Sequence, residues 1–282
     1  MLLRALVVLH LLALVLPQDL QQCTQCIQQS KTWCPEAKTC EDSTTKCKSG
    51  VKLLLNCPRL PDPAYAYNET FARYYITPIV AGVYAKSPAL CLKAQIPHAS
   101  YYQSVRVKCA TETPDVHCHG YTAWDPVEKA VIISFEGTDG SYQMTDEILS
   151  FFTDKVAFFD NGHLFKYFHN AFFFLWNGGL EQQVRTLKYQ YPDYKVYFPY
   201  AYRIVHQNDP VPHIPPRLGR DKLFHHRYEV WYNNNMAVGQ PYTICQEADG
   251  DYCSNTVISD AFSEHLYYFD KNIGEWGGKG CP

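Results

Sequence analysis

Three short blocks of this chain carry the residue types that acyl-transfer chemistry uses. The first runs from Arg203 to Pro216, Arg-Ile-Val-His-Gln-Asn-Asp-Pro-Val-Pro-His-Ile-Pro-Pro. A β-rich run ends there in Asn208-Asp209 and passes into a proline-stiffened loop. An acid at the carboxyl end of a sheet strand is well placed to orient a histidine. Composition alone favours a simpler reading, a turn that only ends the strand. The second block is Ser263-Glu264-His265-Leu266-Tyr267-Tyr268-Phe269, a histidine before an aromatic stretch. With 11 histidines in the chain, one alone says little. The third, Ile133 to Thr138, is an apolar strand ending in Gly-Thr. Such an end can aim a backbone N–H and a hydroxyl at an oxyanion, or simply make a turn.

These blocks need a scaffold, and hydrophobic patterning predicts one. Lys129 to Phe135 is continuously apolar and β-branched, as in a strand buried on both faces. Tyr101 to Cys109 alternates and reads as a second strand. Glu69 to Leu92 reads as helical, with a break at Ser87-Pro88. Phe165 to Tyr189 is a long helical pattern. Its Phe165, Phe168, Phe172, Leu175 and Trp176 share a face and read as core against a sheet rather than a cofactor box. Gly178-Gly179 should interrupt it. Tyr194 to Val205 reads as a strand, although Pro199 sits in its middle, a poor place for a proline in a central strand. The strand–helix–strand order predicts an α/β layered fold.

The remaining chain sets the compartment. Met1 to Arg4 is a short positive start, and Ala5 to Leu16 is an apolar run before Pro17-Gln18-Asp19. This is the layout of a secretory signal peptide, taken as residues 1–18. The run is shorter than the ~20 residues of a spanning helix, and no later stretch comes closer, so no transmembrane segment is predicted. The 12 cysteines fit a secreted, disulfide-bonded protein. Six fall between Cys23 and Cys57, within a cysteine-rich module spanning 19–62 that shows little hydrophobic periodicity and relies on its cystines. The other six are Cys91, Cys109, Cys118, Cys245, Cys253 and Cys281, so two separately stapled units are expected. Asn68-Glu69-Thr70 is the one N-glycosylation acceptor.

Charge and spacing exclude other chemistry. A net charge of −3 without a basic block argues against nucleic acid. His117-Cys118-His119 lacks a partner pair at zinc spacing, and Cys118 is expected in a disulfide. His225-His226 reads as a solvated pair. Cys245 and Cys253 bracket an acidic loop without calcium-loop spacing, which predicts a local disulfide that presents His265. No metal and no cofactor is expected.

Taken together, the three blocks resemble the class 3, fungal-type triacylglycerol lipase family in order and wording. That family shows a strand like Ser-Phe-Arg-Gly-Thr/Ser, a Tyr-Arg-x-x-His-x-x-Asp-x-Val-Pro-x-x-Pro-Pro block, and a late His-x-Tyr-Tyr block. Here Ile132 to Thr138, Tyr202 to Pro216 and Glu264 to Phe269 match, as does Tyr191 to Val196. The resemblance covers roughly Asn68 to the C-terminus and implies an α/β-hydrolase-like domain over 63–282. It implies Asp209 as the triad acid, His265 as the general base and Thr138 as the oxyanion-hole residue, with a lipid or ester as substrate. Tyr142 to Gly162 falls where the family carries its lid.

Two departures matter. The family's usual Arg before the glycine is Glu136 here, which alters hydrogen bonding around the oxyanion loop. More seriously, no serine lies in a Gly-x-Ser-x-Gly elbow, the strand-to-helix turn that exposes the nucleophile. Tyr194 to Tyr197 passes straight to Phe198 to Arg203, where family members insert the elbow, its helix and a further strand. Parallel neighbours need a crossover of about a dozen residues or more. One strand should therefore be lost, or the two should merge into a bent strand at Pro199. The expectation is a lipase-family chain, truncated in its central sheet at Tyr197–Phe198 and catalytically inactive. The alternative is a non-enzymatic secreted module that binds lipid or protein.

Overall fold

The computed structural model describes residues 18–43, 47, 50–59, 61–109, 117–137, 155–158, 162–196, 201–214, 225–247, 249, 253–256 and 262–282. Residues 1–17, Thr138, most of the lid stretch and the Tyr197–Phe198 junction lie outside that set.

The N-terminal segment opens with helix α1 (Gln18–Gln28), followed by a hairpin of β1 (Thr32–Cys34) and β2 (Thr39–Glu41). The sequence reading found little periodicity here, and the helix corrects it. Leu20, Cys23 and Cys26 recur at three-residue spacing and are all buried, so the cysteines themselves complete the apolar stripe. Cystines Cys23–Cys57, Cys26–Cys40 and Cys34–Cys47 close this segment on itself. Cys91–Cys281, Cys109–Cys118 and Cys245–Cys253 staple the remainder, so no cystine joins the two sets.

A run of short helices follows. Asn68 caps α2 (Glu69–Phe71), its side-chain oxygen accepting from the Phe71 N–H at 2.9 Å. A wider π turn, Ala72–Ile76, leads into α3 (Thr77–Gly82). Pro88 then starts α4 (Pro88–Gln95), which places the break at Ser87-Pro88 where the sequence predicted it.

The central sheet is ordered β3-β4-β5-β8. It comprises β3 (Ser100–Lys108), β4 (His117–Asp125), β5 (Ala130–Phe135) and β8 (Lys195–Val196). Before β8 come the hairpin β6 (Lys155–Phe158) and β7 (Gly162–Phe165), then α5 (Lys166–Leu175) and α6 (Glu181–Gln190). Side chains alternate across the sheet as strand geometry requires. Tyr121, Ala123, Ala130 and Ile132 pack with Ile79, Val83, Leu92 and Ile96 on the α3–α4 side. Val105 and Cys118 meet Leu175 and Leu180 on the other. The result is three layers, helix–sheet–helix. Between α5 and α6 the chain kinks at Gly179, whose φ of 140° suits a residue without Cβ. A Cβ on Gly178 would stand 2.7 Å from Val107 Cγ1, so the glycine pair lets the helix approach β3 closely.

The helix from Lys166 is only half core. Phe165, Leu175, Leu180 and Leu187 are buried, whereas Phe168 and Phe172 are exposed at 40% and 41%. Those two face a cleft instead of the sheet.

The strand entering the junction and the strand after it are both present, contrary to the expected loss or merger. β8 pairs in parallel with β5 through Ala130–Lys195 and Val131–Val196. β9 (Arg203–His206) lies in a different sheet, ordered β11-β10-β9, with β10 (Glu229–Tyr232) parallel to it and β11 (Thr243–Cys245) antiparallel. Only residues 197–202 separate β8 from β9. That link is too short for a parallel crossover, so the sheet divides rather than losing a strand. Beyond Val131 no described strand pairs with the outer edge of β5. The second sheet has its own core of Ala72, Val230, Tyr232, Met236 and Phe269. The chain closes with α7 (Phe262–His265), the hairpin β12 (Tyr267–Tyr268) and β13 (Lys271–Asn272), and α8 (Ile273–Gly278).

Candidate active site

The acid block folds as a strand that stops abruptly. β9 ends at His206, and Gln207 takes a left-handed φ of 44° while its N–H reaches the Tyr232 carbonyl at 2.7 Å. The chain turns there, with the Asp209 N–H donating to the His206 carbonyl at 2.9 Å. Asp209 is fully buried. Its Oδ1 accepts from the Val211 N–H at 2.9 Å and so starts the single 3-10 turn Val211–His213. Its Oδ2 accepts twice, from His265 Nδ1 at 3.0 Å and from the Tyr268 hydroxyl at 2.5 Å. A carboxylate can only accept, so Nδ1 of His265 carries the hydrogen of this bond, and Nε2 is the ring nitrogen left for other chemistry. Burial, then the Asp209 charge, push the Tyr268 phenol well above its ordinary pKa, so the phenol keeps the proton that it donates.

Two further bonds lock the segments together. Glu264 accepts from the Asn208 N–H at 2.6 Å, and the Glu264 carbonyl meets His206 Nδ1 at 3.1 Å. The residues beside Asp209 and His265 thus hold the pair in register from both sides. Behind them lies a buried ionic brace. Arg203 donates to Glu229 at 2.6 Å, approaches Asp249 at 3.3 Å and also donates to the Pro212 carbonyl at 2.9 Å. Asp249 in turn binds His225 Nδ1 at 2.9 Å. Burial alone would raise the Asp249 carboxyl, but the His225 hydrogen bonds and the Arg203 charge outweigh it and hold its pKa below the ordinary value. His225 is therefore not the solvated residue expected from sequence; it pairs with Asp249, while His226 is exposed. Through Arg203, Asp249 braces the block that carries Asp209.

His265 opens onto a cleft of about 380 Å³. Phe135, Phe168, Phe172, Leu175, Val211 and Ile214 supply most of its apolar wall, and Glu136 and Gly137 also line it. Among the described lining residues there is no serine or threonine. The one cysteine, Cys118, is bonded to Cys109, which also removes the sulfur from the His117–His119 tripod. Ser134 is buried in β5, and its hydroxyl donates to the Ile79 carbonyl on the α3 side of the sheet. The Gly137 N–H, a candidate oxyanion donor, is taken by the Tyr84 hydroxyl at 3.0 Å. Thr138 lies outside the described residues.

Sequence reasoning missed three features. Tyr268 stands inside the matched His-x-Tyr-Tyr block, where its fixed place after His265 was the available signal. The Arg203–Glu229–Asp249 brace joins charges far apart in sequence, with no local signature. A second acid–histidine pair, Asp125 Oδ2 with His98 Nε2 at 3.1 Å, also accepts from the Tyr75 hydroxyl at 2.7 Å, but none of the three lines the cleft. The grouping of Glu229 with Cys245 and Cys253 offers no metal site, because both sulfurs are spent in one cystine.

A layered α/β core, with a strand-end acid bonded to a histidine over an apolar cleft, defines an α/β-hydrolase-type protein. The family described as Lipase (class 3) matches residues 132–199, a stretch that ends beside the Tyr197–Phe198 junction. An uncharacterized protein of Caenorhabditis elegans is 37% identical over 195 residues, 67% of this chain and 87% of its own length. A lipase of the same organism is 30% identical over 112 residues, 29% of this chain and 32% of its own length. The fold is similar to that of lipase II from Rhizopus niveus, with a TM-score of 0.59, 17% identity, and coverage of 76% of this chain and 96% of that one. It is also similar to the Rhizomucor miehei triacylglyceride lipase, with a TM-score of 0.56, 18% identity, and coverage of 74% and 97%. The chain belongs to the class 3 lipase family.

Proposed function

We propose that this chain is a secreted lipase-family protein of lipid metabolism that no longer hydrolyses esters. In this reading Asp209 is the orienting acid, His265 the general base and Thr138 the oxyanion-loop residue of a site that has lost its nucleophile. One observation carries it. The Asp209–His265 pair faces a cleft whose described lining offers no serine, threonine or free cysteine. An imidazole and a carboxylate move protons, but acyl transfer also needs an attacking atom. Loss of the nucleophile in a comparable triad costs about a million-fold in rate.

A fluorophosphonate probe tests this on the purified full chain, alongside turnover of short- and long-chain esters. The expected result is no labelling, and no hydrolysis that depends on His265. A labelled serine would overturn the proposal.

The retained apolar cleft supports the companion reading, a module that binds lipid without cleaving it. The coding locus between the Tyr197 and Phe198 codons separates a skipped segment from a fixed loss. An in-frame stretch encoding Gly-x-Ser-x-Gly there would make this chain a shortened form of an active lipase.

Secretion rests on the apolar run Ala5 to Leu16, and N-glycosylation on Asn68, which is exposed in front of α2. Its Oδ1 caps the helix and leaves Nδ2 available to a glycan. Expression in a secreting eukaryotic cell should deliver the chain to the medium with a mass that drops on deglycosylation, and Asn68→Gln should abolish the drop.

A further inference from the structure

We propose that residues 211–214 form an acid-released latch on the cleft, with His213 as the group that senses pH. The proposal rests on the reading that the cleft receives lipid, and it adds a condition for release.

The segment serves two neighbourhoods. Val211 and Ile214 line the cleft, whereas His213, between them, meets the buried brace. Its ring feels Arg203 on β9, Glu229 on β10 and His225 just before β10. The Asn255 side chain bonds this ring, whose Nε2 is buried with no hydrogen-bond partner among the described residues. His225 Nε2 is buried in the same way, while its Nδ1 is held by Asp249. His226 neighbours Arg203, His225 and Asp249.

Protonating His213 in the closed state is costly. It adds positive charge near the Arg203 guanidinium and an N–H on a buried nitrogen that has no acceptor among the described residues. Glu229 offers compensating charge, but both its oxygens are engaged, one by Arg203 at 2.6 Å and the other by the Ser254 N–H at 3.1 Å. The closed state therefore favours the neutral ring, and burial with the nearby cations holds its pKa below the ordinary value. Once the segment swings out, the ring meets water and takes its proton at about pH 6.5. A histidine with a depressed closed-state pKa stabilises that state above its ordinary pKa and loses this hold as pH falls below it. Two described bonds oppose the movement, Arg203 to the Pro212 carbonyl and the Val211 N–H to Asp209 Oδ1, each at 2.9 Å. Pro210 and Pro212 fix φ along the stretch, so it moves as a stiff unit and takes Val211 and Ile214 from the cleft wall together.

The test pairs two measurements on the full chain at about pH 7.5 and about pH 5.5. Calorimetry follows dodecyl maltoside below its micelle concentration, a probe with no titrating group of its own. Hydrogen exchange, corrected for its intrinsic pH dependence, follows the His213 and Ile214 amides, which bond the Pro210 and Val211 carbonyls at 3.1 and 2.9 Å. Acid should weaken binding and lower the protection of these amides, each about three- to tenfold. His213→Asn should bind equally at both pH values and keep its protection. His163→Asn, which alters an exposed histidine on β7, should behave as the parent chain does. Binding and protection that ignore pH, or an acid effect that survives His213→Asn, overturn the latch and leave the lipid-binding reading standing. No binding at either pH defeats the lipid reading, and amide protection then decides the latch by itself.

Discussion

Tyr268 donates its hydroxyl to Asp209 Oδ2 at 2.5 Å, the same oxygen that accepts from His265 Nδ1 at 3.0 Å. The buried carboxylate thus has three donors, counting the Val211 N–H on Oδ1. Tyr268→Phe removes one and leaves the rest. A buried acceptor that loses a partner costs about 1–3 kcal/mol. The melting temperature should fall by about 2–4 °C for each kcal/mol in a domain of this size. Unchanged thermal unfolding would show that the phenol contributes nothing to holding the acid.

The brace behind the site is a stronger lever. Arg203 and Glu229 are 7% and 2% exposed and bonded at 2.6 Å. Glu229 also accepts from the Ser254 hydroxyl and, at 3.1 Å, from its N–H. Glu229→Gln removes the charge of one of the two carboxylates on the buried guanidinium, which keeps Asp249 at 3.3 Å and the Pro212 carbonyl, and weakening such a charged hydrogen bond should cost about 1.5–3 kcal/mol. Urea unfolding should show a lower midpoint with little change in slope. A replacement of both partners by apolar residues should recover part of the loss.

Acid should weaken the loop that carries Asp209. His213 ends the Val211–His213 turn, and its Nε2 is buried with no hydrogen-bond partner among the described residues. Burial depresses its pKa, the Arg203 and His225 charges add to that, and Glu229 and the Asn255 hydrogen bond oppose it. The folded state therefore prefers neutral His213. Below about pH 6.5 the unfolded chain takes up this proton more readily, so stability should fall as pH drops from there toward the lower folded value. Asp249, with its depressed pKa, keeps its contribution until the pH falls below the ordinary carboxylate range near 3.9. His213→Asn should flatten the dependence between about pH 6.5 and 5. An unaltered profile would remove His213 from the explanation.

The final helix docks through a glycine. A Cβ on Gly277 would stand 2.1 Å from the Ala81 carbonyl oxygen, whereas one on Gly274 meets nothing within 4 Å. Gly277→Ala should destabilise by about 1–3 kcal/mol through overpacking. Gly274→Ala, in the same helix, should be neutral or stabilising by about 0.5–1 kcal/mol. Similar effects from both would argue against the close α3–α8 approach.

Much of this protein is written locally. Ala130 to Phe135 had to be a strand because six consecutive apolar or small residues, rich in β-branched types, suit no other buried element. The helix break at Ser87-Pro88 and the kink at Gly178-Gly179 follow from backbone chemistry alone. The acid and histidine were legible because each sits inside a distinctive block, and the missing elbow was legible because a serine needs its flanking glycines. What sequence could not settle depends on contacts between distant segments. Beyond the local Cys245–Cys253 bridge it could not pair the 12 cysteines, since proximity in space decides that. It could not foresee that α1 would use Cys23 and Cys26 as apolar residues, because burial only appears once the hairpin covers them. The fate of the short link was decided in three dimensions as well. Sequence determined that β8 and β9 cannot be parallel neighbours, and the tertiary structure put them in two sheets because β10 gave β9 a parallel partner of its own.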